Sequence, residues 1–148
     1  MEKIKCFDKD NTVKYFVYSV EKGEPPEYED REEEKEYQKW SFKVMMPNNT
    51  NDSQWFDFEV TEVDDNIGKV TVMNHNNYSN FKGKGIPDKM IEEASGLLEK
   101  TIISSSNNAN FKLSETEFRS LDATKVWERL VTQGKARYNE DEDIYEFL

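Results

Sequence analysis

Polar and apolar positions alternate along Trp55-Phe56-Asp57-Phe58-Glu59-Val60-Thr61-Glu62-Val63, with Phe56, Phe58 and Val60 on one face and Asp57, Glu59 and Thr61 on the other. A period of two is that of a half-buried strand. The same pattern runs through Trp40 to Met45 and through Lys69 to Met73, the latter entered by the turn Asp64-Asp65-Asn66-Ile67-Gly68. Near the start, Ile4 to Phe7 and Val13 to Val20 flank the polar turn Asp8-Lys9-Asp10-Asn11, and Tyr15, Phe16, Val17 and Tyr18 are strong strand formers. Together these predict a first hairpin followed by an antiparallel meander.

The period changes after Met73. Met90, Ile91, Ala94, Leu97 and Leu98 fall on one helical stripe, with Lys89, Glu92, Glu93 and Lys100 outside it. Pro87 suits the opening turn of that helix, where a missing N–H costs little. Thr101 to Ser104 reads as a short buried strand parallel to the one before the helix, because a helical crossover joins them. Further on, Ser114-x-x-Glu117 is a capping box, with Leu113 placed to staple against Phe118, and it predicts a short helix from Ser114. A second start at Asp122 leads into the stripe Val126, Trp127, Leu130 and Val131, and Gly134 fits its stop. Ala136 to Tyr138 and Ile144 to Leu148 close the chain as a hairpin around Asn139 to Asp143.

These elements fit one domain over residues 1–148, of α/β (α+β) class. Its sheet is mixed but mainly antiparallel, with a central strand-loop-helix unit and a C-terminal helix plus hairpin. The 148 residues are 35% hydrophobic and 34% charged, enough for one core under a very polar surface. The formal charge of −11 argues against nucleic acid and anionic membranes as general partners. Between Glu24 and Glu36 eight acids stand against two bases, so residues 23–37, which also carry Pro25 and Pro26, read as an acidic surface excursion. The run is also a possible docking surface for a basic protein partner. Cys6 is the lone cysteine, no apolar run of signal-peptide type opens the chain, and none is long enough to span a membrane, so a cytoplasmic protein is expected.

Among the motifs, Lys82-Gly83-Lys84-Gly85-Ile86 is the one that points to chemistry. Glycines at a helix start let backbone approach a ligand, and unpaired N–H groups, the dipole and two lysines favour phosphate there. The same pattern also serves as a plain tight connection. No zinc pattern, Walker loop or nucleophile elbow is present, and no metal site is expected. His75, the sole histidine, lies in an Asn-rich loop and reads as a surface residue.

The stretch from Phe81 to Ala94 resembles the acyl-CoA loop of GNAT-type N-acetyltransferases: an aromatic residue, then Arg-Gly-x-Gly-Ile-Gly, then an amphipathic helix. Lys82 stands where arginine is commonest, Gly83 to Ile86 match in place, and Pro87 replaces the last small residue, removing one N–H from the loop. The resemblance implies a GNAT-like fold, acetyl-CoA as cosubstrate with its pyrophosphate on Lys82, Gly83, Lys84, Gly85 and Ile86, and acetyl transfer to an amine, small-molecule or protein, by direct attack. Ser120 to Trp127 sits where the family often has Asn-x-x-Ala-x-x-Leu-Tyr. The tyrosine that commonly protonates the departing thiolate is here Trp127, whose indole is no general acid. Glu59, Glu62 and His75 are on or near the central strands, with no spacing that singles out a base, so the catalytic residues stay unassigned. Two other readings stand beside this one. One is a non-catalytic scaffold that binds a basic partner. The other is a winged-helix-like module made of the helices from Ser114 and Asp122 with the final hairpin, flanked by Lys125, Arg129, Lys135 and Arg137 but also by many acids.

Overall fold

The computed structural model describes residues 1–23, 38–48 and 53–148. The acidic excursion at 23–37, apart from Gly23, and the tip of the loop after Met45 lie outside the described residues. Eight strands form one sheet: β1 (Glu2–Phe7), β2 (Val13–Gly23), β3 (Lys39–Met45), β4 (Phe56–Asp64), β5 (Ile67–Asn74), β6 (Thr101–Ile103), β7 (Ala136–Asn139) and β8 (Ile144–Phe147). The described residues also form two α-helices, α1 (Ile86–Leu98) and α2 (Leu121–Thr132). The strand order is β1-β2-β3-β4-β5-β6-β8-β7. Every neighbouring pair is antiparallel except β5 and β6, which α1 joins as a parallel crossover.

The first hairpin and the meander form where the alternation places them. In β1 and β2 the even positions Ile4, Cys6, Phe16 and Tyr18 are buried against α1, in one core with Phe42, Phe58, Val60, Met90, Ile91 and Ala94. The tight turn between them is fixed by Asp8, whose Oδ1 accepts from the N–H groups of Asp10 at 2.9 Å and Thr12 at 2.8 Å, with Asn11 at φ 63°. α2 packs on the same side of the sheet. Its Arg129 forms a forked pair with Asp88 in the first turn of α1, at 2.8 and 3.1 Å. No helix among the described residues is long and apolar enough to cross a membrane.

One predicted element does not form. Residues 114–118 make turns rather than a helix. The capping box fails because Glu117 turns inward: its Oε1 accepts from Leu113 N at 2.9 Å and its Oε2 takes Lys69 Nζ at 3.0 Å. Phe118, 68% exposed, makes no staple. The helix–helix–hairpin order of a winged helix therefore lacks its first helix. α2 itself starts as expected, with Ser120 Oγ accepting from Ala123 N at 3.1 Å.

Candidate functional site

β5 is the strand from which both parts of the candidate site grow. It pairs with β4 in register except at two bulges. At one, Glu59 faces Val72 and Val60 faces Val70, leaving Thr71 as the extra residue. Thr71 Oγ1 lies 3.1 Å from Thr61 Oγ1, on the face away from α1. On its other side β5 pairs with β6 only through Ile67–Thr101, Gly68–Ile102 and Lys69–Ile103. Beyond that point β6 turns to β8: Ser104 N donates to Tyr145 O and Tyr145 N donates to Ser104 Oγ, both at 2.9 Å. The two parallel strands thus separate at their carboxyl ends, where ligands of open α/β sheets gather. Ser105 spans the split, its Oγ donating to Val70 O at 2.7 Å.

The glycine loop is the second part. From Asn74 the chain passes through a turn in which Asn76 and Asn77 are left-handed, at φ 54° and 64°. Asn77 N donates to His75 Nδ1 at 2.9 Å and Lys82 Nζ donates to Asn77 Oδ1 at 2.6 Å. Phe81 is buried against Phe16 and Tyr78, and Ile86 is buried at the first position of α1, so the loop between them is pinned at both ends. Gly83 and Gly85 have φ of 64° and 76°. Gly85 caps α1, and Pro87 occupies the second helical position rather than the first. Among the described residues the Gly83, Gly85, Ile86 and Asp88 N–H groups make no hydrogen bond, while the Lys84 N–H closes the turn at Lys82 and Gly83. Lys82 is exposed and Lys84 half-buried beside them.

Lys82 to Ile86 are thus brought together in one turn, but that turn also has a packing task. A Cβ built on Gly85 would lie 2.2 Å from Phe7 O, and Lys9 N donates to Gly83 O at 3.3 Å. The loop reaches across the sheet from the end of β5 to the end of β1, and β2, β3 and β4 lie between these strands. At strand spacings of about 4.8 Å this is roughly 19 Å. A ligand using both the loop and the β5/β6 split has to be long and extended.

Of the possible bases, Asp57 and Glu59 both lie on the face of β4 away from α1. Asp57 is engaged, its Oδ1 accepting from Trp55 Nε1 at 2.8 Å and its Oδ2 from Asn76 Nδ2 at 3.0 Å. Glu62 lies 3.6 Å from Lys100, and His75 serves its turn as an acceptor. The Glu59 carboxylate takes no hydrogen bond or ion pair from the described residues. On the acid side, Trp127 is fully buried, stacked on Tyr145 at 6.1 Å, and its Nε1 has no partner among the described residues. Tyr145 donates its hydroxyl to Glu128, and burial first, then that bond, raises its pKa. Tyr138 donates to Asp143 Oδ1 at 2.7 Å, and this bond raises its pKa too. Neither tyrosine hydroxyl is free.

The best-organised polar cluster is one that pattern reading missed. Lys69, 2% exposed in the middle of β5, donates to Phe111 O at 2.7 Å as well as to Glu117, whose Oε2 also accepts from Ser106 N at 2.9 Å. Arg119 donates to Ser105 O and Asp143 O, both at 2.9 Å, pairs with Asp143 Oδ1 at 2.7 Å, and lies 5.0 Å from the Tyr145 ring. These bonds strap residues 104–119 over the end of the β5/β6 split. Strand alternation set Lys69 with Thr71 on the polar face, so no local signal marked it as buried and in need of a partner.

No family model, no curated protein and no solved structure matches the chain.

Proposed function

We propose that this protein is an acyl-CoA-dependent N-acyltransferase that transfers acetyl from acetyl-CoA to an amine. The observation that carries the reading is the conjunction on β5: a parallel neighbour that pairs for three residues and then departs, and a crossover helix entered through two left-handed glycines with unengaged N–H groups. The sheet order, with β8 inserted between β6 and β7, and the bulge at Thr71 support a fold of the GNAT-like kind that the loop motif suggests.

In this reading the amides of Gly83, Gly85 and Ile86, with Lys82 and Lys84, receive the pyrophosphate, and the length of the pantetheine arm spans the distance from the loop to the split near Met73 and Ser104. Bound acetyl-CoA supplies the activated thioester. Glu59 is the carboxylate free to take the amine proton, and its face of the sheet is the side from which the acceptor enters. Ser105 Oγ exchanges its bond to Val70 O for one to the arm. With Trp127 in place of an acid, the thiolate leaves unprotonated or takes its proton from solvent.

Calorimetric titration with acetyl-CoA and with CoA, at low and moderate salt, tests the reading. Saturable binding that weakens at least tenfold in Lys82→Glu/Lys84→Glu supports it. Gly85 is a poor test position, because any side chain there meets the Phe7 backbone. No heat at millimolar ligand overturns it and favours the scaffold reading, in which the acidic run Glu24 to Glu36 and the Glu140 to Asp143 turn engage a basic partner.

A further inference from the structure

The face of β1 and β2 away from α1 carries a local charge opposite to that of the chain. Strand alternation places Lys3, Lys5 and Phe7 of β1 there, with Val13, Tyr15 and Val17 of β2 directly across from them: Lys3 opposite Val17, Lys5 opposite Tyr15, Phe7 opposite Val13. Phe7 is 52%, Tyr15 48% and Val13 36% exposed, whereas Ile4, Cys6, Phe16 and Tyr18, on the other face of the same strands, are buried. The lysines lie on the aromatic rings, Lys3 Nζ at 4.6 Å from the Tyr15 centroid and Lys5 Nζ at 5.4 Å from that of Phe7. Their stems cover apolar surface while their ammonium groups stay at the top of the patch. Lys43, 4.6 Å from the Trp55 ring, repeats the arrangement across β3.

Among the described residues, no carboxylate on this face of β1 and β2 lies beside Lys3 or Lys5. Along β2 the next acid on the same face is Glu21, past the end of β1, since Glu2 pairs with Tyr18. Lys43 differs from the other two in facing a carboxylate directly, that of Asp57 on β4, which also accepts from Trp55 and Asn76. In a protein of net charge −11, Lys3 and Lys5 among exposed aromatic residues select for an acidic partner. Among the described residues β1 is also an end strand of the sheet, with six residues and β2 on one side only, so its outer backbone groups form a template for another strand.

We propose that β1 is a docking edge for an extended acidic peptide segment of a partner protein, which adds as a further strand with carboxylates beside Lys3 and Lys5. Main-chain bonds to the β1 edge supply affinity, and the lysine–aromatic face supplies selection for acids at alternate positions. A peptide is favoured over single-stranded nucleic acid because only a peptide uses the open backbone edge, and because the overall charge repels a polyanion at long range. This inference does not depend on the acyl-transfer reading, whose loop lies at the opposite face of the same hairpin.

The test uses the full chain and a fluorescein-labelled peptide, Glu-Val-Glu-Val-Glu-Leu, followed by fluorescence anisotropy. Saturable binding is expected, weakened at least tenfold in Lys3→Glu/Lys5→Glu, whose thermal midpoint should stay near that of the parent because both positions are exposed. A peptide with alternate N-methylated residues should lose binding, as should one with lysine for glutamate. The proposal is overturned by no saturation at millimolar peptide, by equal binding to the charge-reversed variant, by undiminished binding of the N-methylated peptide, or by oligodeoxythymidine outcompeting the peptide.

Discussion

Gly83 and Gly85 stand two residues apart in the same loop, both left-handed, yet they answer different demands. A Cβ on Gly83 meets only the distal carbon of Lys9 at 3.8 Å, whereas one on Gly85 runs into Phe7 O at 2.2 Å. Gly83→Ala should therefore cost only the left-handed backbone strain, about 1–2 kcal/mol. Gly85→Ala adds a backbone clash that no rotamer relieves, and a loss of about 3 kcal/mol or more is expected. Urea denaturation of the two variants separates them, and equal losses would mean that β1 yields to the new methyl group. The need for glycine at both places was legible in the sequence. Its cause at Gly85 was not, because Phe7 lies 78 positions earlier and nothing local announces the contact. Trp127 carries the same lesson. Its helical stripe marked it as apolar and inward, while the absence of a partner for its indole N–H follows only from what surrounds it.

At the scale of elements, α1 was the most legible, since a 3.6-residue stripe, a proline in the first turn and preceding glycines all agree, although Leu97 of that stripe is 49% exposed. The strap of residues 104–119 was the least legible. Its capping box promised a helix, but local capping is worth about 1 kcal/mol. Leaving Lys69 buried without Glu117 costs about 3–5 kcal/mol. The tertiary demand wins, and the box is spent on the ion pair. Lys69→Met and Glu117→Gln should each lower stability by several kcal/mol, about 3–5 from the same unpaired-charge argument. Hydrogen exchange gives the sharper readout. Glu117→Ala removes the acceptor of the Ser106 and Leu113 N–H groups and should expose both, whereas Lys69→Met leaves that acceptor in place and should expose them less. Equal exchange in the two variants would mean that the strap is held by Arg119 and Asp143 instead.

For the molecule as a whole, the first hairpin, the meander and the parallel crossover followed from pattern and connection rules, because hairpins and a helical crossover leave few arrangements. The insertion of β8 between β6 and β7 did not, since a single pair, Ile103 with Glu146, joins β6 to β8. Whole-molecule stability against pH depends on groups from both ends of that sheet. Burial of Asp143 alone would raise its carboxyl pKa, but hydrogen bonds from Arg119, Tyr138 and the Asn107 N–H together outweigh it and hold the pKa below the usual range. A depressed folded-state value contributes stability that is present above the unfolded value of about 3.9 and is lost as pH falls through the folded one. Asp143→Asn keeps the left-handed backbone at φ 53° and should flatten the acid limb below about pH 4. At the other end, burial pushes the Cys6 thiol up to about 12, with smaller contributions from the charges on α1. Its contribution is present below the unfolded value of about 8.5 and is lost as pH rises from there toward the folded one. Tyr18 and Tyr145 are also raised, by burial first and then by their bonds to Glu93 and Glu128. Their unfolded value is about 10, so between about pH 8.5 and 10 the thiol acts before either tyrosine. Unfolding free energies from urea titrations in that window should fall with a slope approaching about 1.4 kcal/mol per pH unit. Cys6→Ala, less stable at neutral pH through lost packing, should show almost no slope there, and an unchanged slope would move the alkaline sensitivity away from β1.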